Sequence, residues 1–113
     1  MLKAILFIFL FCCEMNQAYS QTNEPVIPFA EKVANRMRDS LSLSSIQRDS
    51  VYAINVRLMQ ESQDTRAKNL PPVELQTELQ LIEGSRDRLY RQVLGQEKFL
   101  LYKPRKFALV FAN

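Results

Sequence analysis

The chain has 113 residues, of which 15 are Lys or Arg and 12 are Asp or Glu, so its net charge is only +3. This balance is far less basic than that of a typical nucleic-acid-binding domain, and we predict no nucleic-acid partner. The chain also contains no histidine, so it lacks the side chain that most often acts as a general base near neutral pH.

An export signal is predicted for residues 1–20. A short positive start precedes an uninterrupted apolar run over residues 4–13. Ala18 and Ser20 then stand at the −3 and −1 positions of a cleavage site before Gln21, which is the layout of a secretory signal peptide. A membrane-spanning helix needs about 20 apolar residues, and this run is half that length. We therefore predict an exported, periplasmic protein.

Both cysteines of the chain, Cys12 and Cys13, lie within this segment. Cleavage would leave a chain with neither cysteine nor histidine, and therefore without a disulfide framework or the commonest transition-metal ligands. The sequence has no nucleophile elbow, phosphate loop or calcium loop. We predict a non-enzymatic protein with no catalytic residue, no metal site and no cofactor. A lipoprotein acylated at Cys13, and so lipid-anchored in the envelope, is the minor alternative.

A first helix is predicted after a flexible lead-in over residues 21–28, which contains two prolines and polar side chains. Pro28 suits the opening of that helix. Apolar residues then recur at every fourth position, which is one face of a helix. These residues are Phe29, Val33, Met37 and Leu41.

A second helix is predicted to begin after Ser44 and to continue to about residue 68. The Ser44 hydroxyl can accept from the backbone N–H of Gln47, while the Gln47 side chain reaches back to the N–H of Ser44. This reciprocal arrangement is a capping box, and the apolar stripe behind it supports a helix. The stripe consists of Val51, Ile54 and Leu58.

A third helix is predicted from Pro72 to Val93, because the prolines at 71 and 72 end the second helix. Its apolar positions alternate four and three residues apart, as in a heptad seam. Arg86 lies on this seam, so it is expected to be paired, to extend to solvent or to face a groove. Gly84 inside this helix indicates a bend, the close approach of another helix, or a tolerated loss of helix stability. The last of these is favoured. The seam comprises Leu75, Leu79, Ile82, Arg86, Leu89 and Val93.

Gly95 is predicted to end the third helix, and residues 96–103 to form a short fourth helix that Pro104 stops. The final residues 104–113 form an apolar, strand-prone tail. Packing of this tail in a groove between helices is favoured over a strand or plug used in self-association. The fold class is therefore all-α, with a helical domain over residues 29–103. Three to four helices surround a long antiparallel hairpin, in a protein expected to be dimeric.

Charge is distributed unevenly along the chain. Residues 85–106 carry seven basic and two acidic side chains, a net +5, whereas residues 60–84 carry two basic and five acidic ones, a net −3. The arginines alternate with apolar and aromatic groups, a pattern suited to binding acidic or unfolded chains or anionic lipid headgroups. An ordinary solvated helix face is the alternative and the more common cause of such a pattern.

The segment Leu43-Ser44-Ser45-Ile46-Gln47 resembles the Leu-Thr-x-x-Gln motif of the Spy/CpxP-like family of small periplasmic helical proteins. A degenerate second copy begins at Leu94 and Gly95, where glycine replaces the capping threonine and Lys98 replaces the glutamine. The resemblance implies a cradle-shaped antiparallel dimer that binds unfolded chains without ATP, or a stress-signalling or metal-responsive relative. A metal-responsive role fits poorly because the cleaved chain would lack histidine and cysteine. The apolar tail lies outside the family pattern.

Together these features predict an ATP-independent chaperone or envelope-stress protein that binds unfolded polypeptide. The alternatives are an assembly subunit of an envelope complex, held by the apolar tail, and a protein that binds the membrane surface through its basic end. The residues predicted to contact a client are Arg86, Arg88, Leu89, Tyr90 and Arg91. The motif and capping residues are Leu43, Ser44, Gln47, Leu94 and Gly95.

Overall fold

The computed structural model describes residues 26–112, and over that range the protein is all-helical, as predicted. Helix α1 spans Val26–Leu41, α2 spans Ser45–Ala67, and α3 spans Pro72–Lys106. A π-helical turn over Phe107–Phe111 ends the described chain. The predicted signal peptide and the lead-in before Val26 lie outside the described residues. Among the described helices, none has the length and apolar character needed to cross a membrane.

Helix α1 begins three residues earlier than predicted, at Val26. Pro28 therefore lies in the first turn, where backbone N–H groups have no intrahelical acceptor and proline is tolerated. At the other end, Ser42 adopts a φ of 55°, and the Leu43 N–H bonds to the Arg38 carbonyl at 3.1 Å. This is a Schellman-type ending. It turns the chain sharply towards α2.

Helix α2 begins with the predicted capping box. Ser44 Oγ accepts from the Gln47 N–H at 3.1 Å, and Gln47 Oε1 accepts from the Ser44 N–H at 3.1 Å. The helix ends at Ala67, one residue before the predicted limit, and Asn69 then takes a positive φ of 55° before the two prolines. Asparagine tolerates this left-handed conformation better than most residues.

Helix α3 is broken at Gly95, where φ is 78° and ψ is 168°. The predicted break is confirmed, and it divides α3 into an N-terminal arm (residues 72–94) and a C-terminal arm (residues 96–106). The rings of Tyr90 and Tyr102 lie 5.2 Å apart, edge to face, and Lys103 is 3.0 Å from Asp87. The C-terminal arm therefore folds back beside the end of the N-terminal arm.

Pro104 does not stop the C-terminal arm, contrary to the prediction, since the helix continues to Lys106. Buried residues on both sides of Pro104, namely Tyr102 and Leu109, fix the chain there and offset the backbone hydrogen bond that proline removes. The tail after residue 106 is a π-helical turn and not a strand, which was the less favoured alternative. Its Leu109 and Val110 are buried, so the tail packs against the helices.

Helices α2 and the N-terminal arm of α3 run in opposite directions. Gln47 bonds to Val93, whereas Asn55, two turns further along α2, bonds to Arg86. The core lies entirely at one end of this pair, where α1, the C-terminal arm and the π-helical turn also pack. We call this end the base (residues 26–58 and 86–112). Its core cluster contains Val33, Ala34, Met37, Leu41, Leu43, Val51, Tyr90, Leu94, Phe99, Tyr102, Leu109 and Val110.

The other end of the pair, residues 59–85, is here called the distal arm. Thr65 is its only buried residue. The seam residues Leu75, Leu79 and Ile82 are half-buried, and Leu81 on the outer face is 65% exposed. The distal arm is thus a pair of helices whose apolar side chains are incompletely covered.

Candidate functional site

The two motif segments meet in the base. The Gln47 side chain, besides completing the capping box, donates from Nε2 to the Val93 carbonyl at 3.2 Å. This carbonyl lies in the last turn before the break at Gly95, where carbonyls lose their intrahelical donors. Gln47 therefore caps the start of α2 and the end of the N-terminal arm with one side chain.

Lys98, which stands in place of glutamine in the second motif segment, contacts the first one. Its Nζ donates to Gln47 Oε1 at 3.0 Å and to the Ser42 carbonyl at 2.9 Å. Leu43 and Leu94, the apolar residues that open the two segments, are both buried in the core cluster. The motif residues thus form a structural junction between three helical segments.

A buried polar cluster lies beside this junction, where α1, α2 and α3 meet. Arg86 Nη1 donates to Asn55 Oδ1 at 2.9 Å and to the Tyr90 hydroxyl at 3.0 Å. The Tyr90 hydroxyl donates to the same Asn55 oxygen, and Asn55 Nδ2 reaches the Ala30 carbonyl at 3.4 Å. Every buried side-chain nitrogen and oxygen within residues 26–112 has a partner. The cluster is therefore fully satisfied, as buried polar groups generally must be.

Glu83 supplies the counter-charge of this cluster. Arg86 Nε and Nη2 donate to its two carboxylate oxygens at 2.6 and 3.3 Å, a bidentate pair. The Arg86 side chain is 8% exposed and that of Glu83 is 36% exposed, so only the arginine is removed from water. Burial raises the pKa of the Tyr90 hydroxyl, which therefore stays neutral and able to donate.

A second polar cluster joins the two arms of α3 around Asp87. Lys103 and Lys106 approach its carboxylate at 3.0 Å each, and the Tyr102 hydroxyl donates to it at 3.1 Å. Partial burial alone would raise the pKa of Asp87, but these hydrogen bonds hold it below its ordinary value of 3.8. Burial, followed by the nearby Asp87 charge, raises the pKa of Tyr102. Asp87 thus remains ionised and holds the folded-back arm in place.

The predicted client-contact residues divide into two groups. Tyr90 is fully buried and Arg86 is 7% exposed, which corrects their assignment to a binding surface: both are committed to the polar cluster with Asn55. Arg88 and Arg91 are exposed and Leu89 is half-buried. The Arg91 guanidinium stacks on Phe99 at 4.7 Å from the ring centroid. Only Arg88, Leu89 and Arg91 are thus available to a partner on this surface.

An open groove of about 440 Å³ lies between the two helices of the distal arm. Leu75 and Leu79 form its apolar floor, and Arg66 and Glu83 place opposite charges along its rim. The remaining lining residues are Ser62, Pro72, Gln76 and Gln80. The groove is an apolar strip with a polar border, a form suited to an extended or helical peptide segment.

The sequence offered little signal for several residues of these sites. Asn55 and Asp87 resemble ordinary polar positions of exposed helix faces, and only their packing against α1 and the C-terminal arm gives them a role. No group of three or more Asp, Glu, His or Cys side chains placed to hold a metal ion occurs within residues 26–112.

Comparison of the chain with protein-family models, curated proteins and solved structures finds no match.

Proposed function

We propose that this protein binds unfolded or partly folded polypeptide without nucleotide, as an exported chaperone or envelope-stress protein. The observation that carries the proposal is the groove of the distal arm, whose apolar floor at Leu75 and Leu79 is left open between two helices. We infer that this open apolar surface is the site of interaction. The resemblance of the Leu43–Gln47 segment to the Spy/CpxP-like motif supports the same conclusion.

The exposed arginines supply a second proposed contact region, on the outer face of α3 and apart from the groove. Arg88 lies seven residues after the exposed Leu81, two helical turns away on the same outer face of α3. It has no ion-pair partner among the described residues, and its charge is free to attract acidic segments of a client. Client binding through these groups is therefore expected to weaken as ionic strength rises.

The homodimer expected from the resemblance belongs to the same proposal. The acidic distal arm and the basic residues 85–106 lie in succession along α3. An antiparallel pairing of two copies would place the acidic part of each beside the basic part of the other, which is electrostatically favourable. Sedimentation velocity at low and high salt tests this arrangement, since such a dimer should dissociate more readily as salt increases.

Suppression of light scattering from an aggregating test protein measures the proposed activity directly. The chain beginning at Gln21 is expected to suppress aggregation near equimolar dimer and without nucleotide. The double variant Leu75→Gln/Leu79→Gln should lose most of this activity, because it makes the floor of the groove polar. The variant Arg88→Glu/Arg91→Glu should weaken activity and reduce its salt dependence.

Ile46→Gln is the matched control, since Ile46 is 78% exposed and lies on the base, away from the groove. It should suppress aggregation as well as the unaltered chain does. Circular dichroism must show equal helicity for every variant. Full activity of the Leu75→Gln/Leu79→Gln variant, or no activity from a correctly folded parent chain, would contradict the proposal.

The proposal for an assembly subunit held by the tail is better tested by substitution than by truncation. Removing residues 107–113 would also remove Leu109 and Val110 from the core cluster and would destabilise the base. Phe107→Ser/Phe111→Ser changes only exposed rings. A polypeptide-binding protein should retain its activity in this variant.

A further inference from the structure

The C-terminal arm and the π-helical turn after it are apolar on two opposite faces. The inner face packs into the base through Phe99, Tyr102, Leu109 and Val110, all of which are buried. The outer face exposes Leu100 by 63%, Leu101 by 46%, Phe107 by 76% and Phe111 by 45%. Apolar side chains exposed together on the outer side of a packed helix can contact a second apolar environment there.

The outer residues are arranged as one continuous strip. Leu100, Phe107 and Phe111 are spaced by seven and four residues, which places them on the same side of a helix. The rings of Phe107 and Phe111 are adjacent, with centroids 6.2 Å apart. We call this strip, with Leu101 and the flanking basic residues, the aromatic-basic face.

The charges around this strip are predominantly positive. Residues 96–111 contain Lys98, Lys103, Arg105 and Lys106 against the single acid Glu97, a net +3. Asp87 pairs with Lys103 and Lys106, and Arg105 donates to the Ser40 carbonyl and hydroxyl at 2.9 and 3.1 Å. These contacts hold the cations in place, and the Lys103 side chain, about one helical turn before Phe107, is still 52% exposed. Lys106 also lies 4.0 Å from Glu83. With Asp87 counted the net charge is +2, and with both of these carboxylates counted it is +1.

We propose that the aromatic-basic face binds an anionic lipid surface, with Phe107 and Phe111 entering the boundary between headgroups and acyl chains. Apolar rings flanked by cations are the two components of interfacial membrane binding, one supplying buried area and the other attraction to anionic headgroups. The inference goes beyond polypeptide binding, because it uses the base and leaves the groove of the distal arm free.

Charge favours lipid over a second copy of the chain as the occupant of this face. A two-fold dimer would place the same surface of both copies in contact. The excess positive charge of this face would then meet the same excess on the other copy, and like charges at an interface are costly. An anionic lipid surface instead complements this charge.

The test uses a tryptophan reporter, since the chain contains no tryptophan of its own. The protein is the chain beginning at Gln21, because the apolar residues 4–13 would bind lipid by themselves. Phe107→Trp is mixed with vesicles of phosphatidylcholine alone or of equimolar phosphatidylcholine and phosphatidylglycerol. We expect a blue shift of its emission, and co-sedimentation, with the anionic vesicles only, both reduced by salt.

Leu81→Trp provides the control, because Leu81 is 65% exposed but lies on the distal arm. Its emission should stay at the wavelength of a solvated indole. The variant Phe107→Ser/Phe111→Ser, read by co-sedimentation, should bind anionic vesicles at least about tenfold more weakly, with unchanged circular dichroism.

Three results would overturn the proposal. The first is an unchanged Phe107→Trp emission with anionic vesicles. The second is an equal shift for Leu81→Trp, which would indicate general adhesion of the chain. The third is a dimer that Phe107→Ser/Phe111→Ser converts to a monomer in the absence of lipid binding, since the face would then serve self-association. Aggregation assays on the same double variant remain a separate measure of polypeptide binding.

Discussion

Helix α3 passes through two regions that differ in how they are stabilised. In the base it contacts α1, α2 and its own C-terminal arm, and its side chains there include the buried Tyr90 and Leu94. In the distal arm it has only α2 beside it, and none of its residues from 72 to 85 is buried. The free energy of folding is therefore concentrated at one end of the molecule, because apolar burial is its main source.

The polar groups follow the same division. The buried and half-buried polar groups around Arg86 and Asp87 in the base form closed clusters, in which each group has a fixed partner. Such clusters specify one arrangement of the helices more strictly than apolar packing does. Those of the distal arm line an open groove and face solvent. The interior of the base holds one conformation, whereas the distal arm presents an open groove.

The largest expected effect separates Arg86 from Arg88, two arginines two positions apart on α3. Arg86→Ala should lower the free energy of unfolding by about 2–4 kcal/mol, since it removes the donor shared by Asn55 and Tyr90 within the base. The estimate is below that of a fully buried ion pair because Glu83 stays partly solvated. Urea unfolding followed by circular dichroism measures the change.

Arg88→Ala is the matched control for this comparison. Arg88 is exposed, and its removal should change stability by less than about 0.5 kcal/mol. Equal effects of the two substitutions would show that the buried cluster does not contribute to the stability of the base.

A smaller effect is expected at Gly95, where the backbone reverses between the two arms. Its φ of 78° and ψ of 168° belong to a region that is almost restricted to glycine. Gly95→Ala should therefore destabilise the protein by about 1–3 kcal/mol. An added Cβ would meet no atom within 4 Å, so the loss would come from the backbone and not from a clash. An unchanged urea concentration at the midpoint of unfolding would contradict the inference that the break requires glycine at position 95.

Acid should weaken the base through Asp87. Its pKa in the folded protein is depressed, so between that value and the ordinary one near 3.8 the unfolded chain binds more protons. The stability that Asp87 contributes is therefore fully present above about pH 4 and is lost as pH falls through the folded pKa. Urea unfolding at a series of pH values should show this loss.

Asp87→Asn should make the free energy of unfolding depend less on pH in the acid range, since the carboxyl group that titrates is removed. The double variant Lys103→Met/Lys106→Met should raise the folded pKa of Asp87, as observed by NMR of its carboxyl carbon, because two of its donors are removed. If the free energy of unfolding of Asp87→Asn still falls steeply in acid, groups other than Asp87 cause the loss.

The features that the sequence predicted correctly are those set by a few neighbouring residues. The capping box of Ser44 and Gln47, the end of α2 before Pro71 and the break at Gly95 depend on local backbone chemistry alone. The rule that proline ends a helix failed at Pro104, because tertiary packing of Tyr102 and Leu109 outweighs the local cost. Packing likewise turned a strand-prone tail into a helical turn.

The candidate site was less accessible to sequence reasoning because its contacts join distant segments. Tyr90 was taken as a surface aromatic beside arginines, whereas it meets Asn55 from another helix. A heptad seam predicts the buried positions of a helix that packs against one neighbouring helix. In the base, the N-terminal arm of α3 packs against three helical segments, namely α1, α2 and the C-terminal arm. The residues Tyr90 and Leu94 therefore fell outside the predicted seam, yet both are buried. The open groove, in contrast, follows the predicted positions Leu75 and Leu79.

The smallest predicted effect distinguishes the two glycines of α3 and has the opposite sign. Gly84 lies in the exposed distal arm, keeps helical dihedral angles and has no atom within 4 Å of an added Cβ. Gly84→Ala should thus stabilise the protein by about 1 kcal/mol through helix propensity alone. Amide hydrogen exchange should show this gain as slower exchange in residues 72–85. A loss of stability would contradict the prediction.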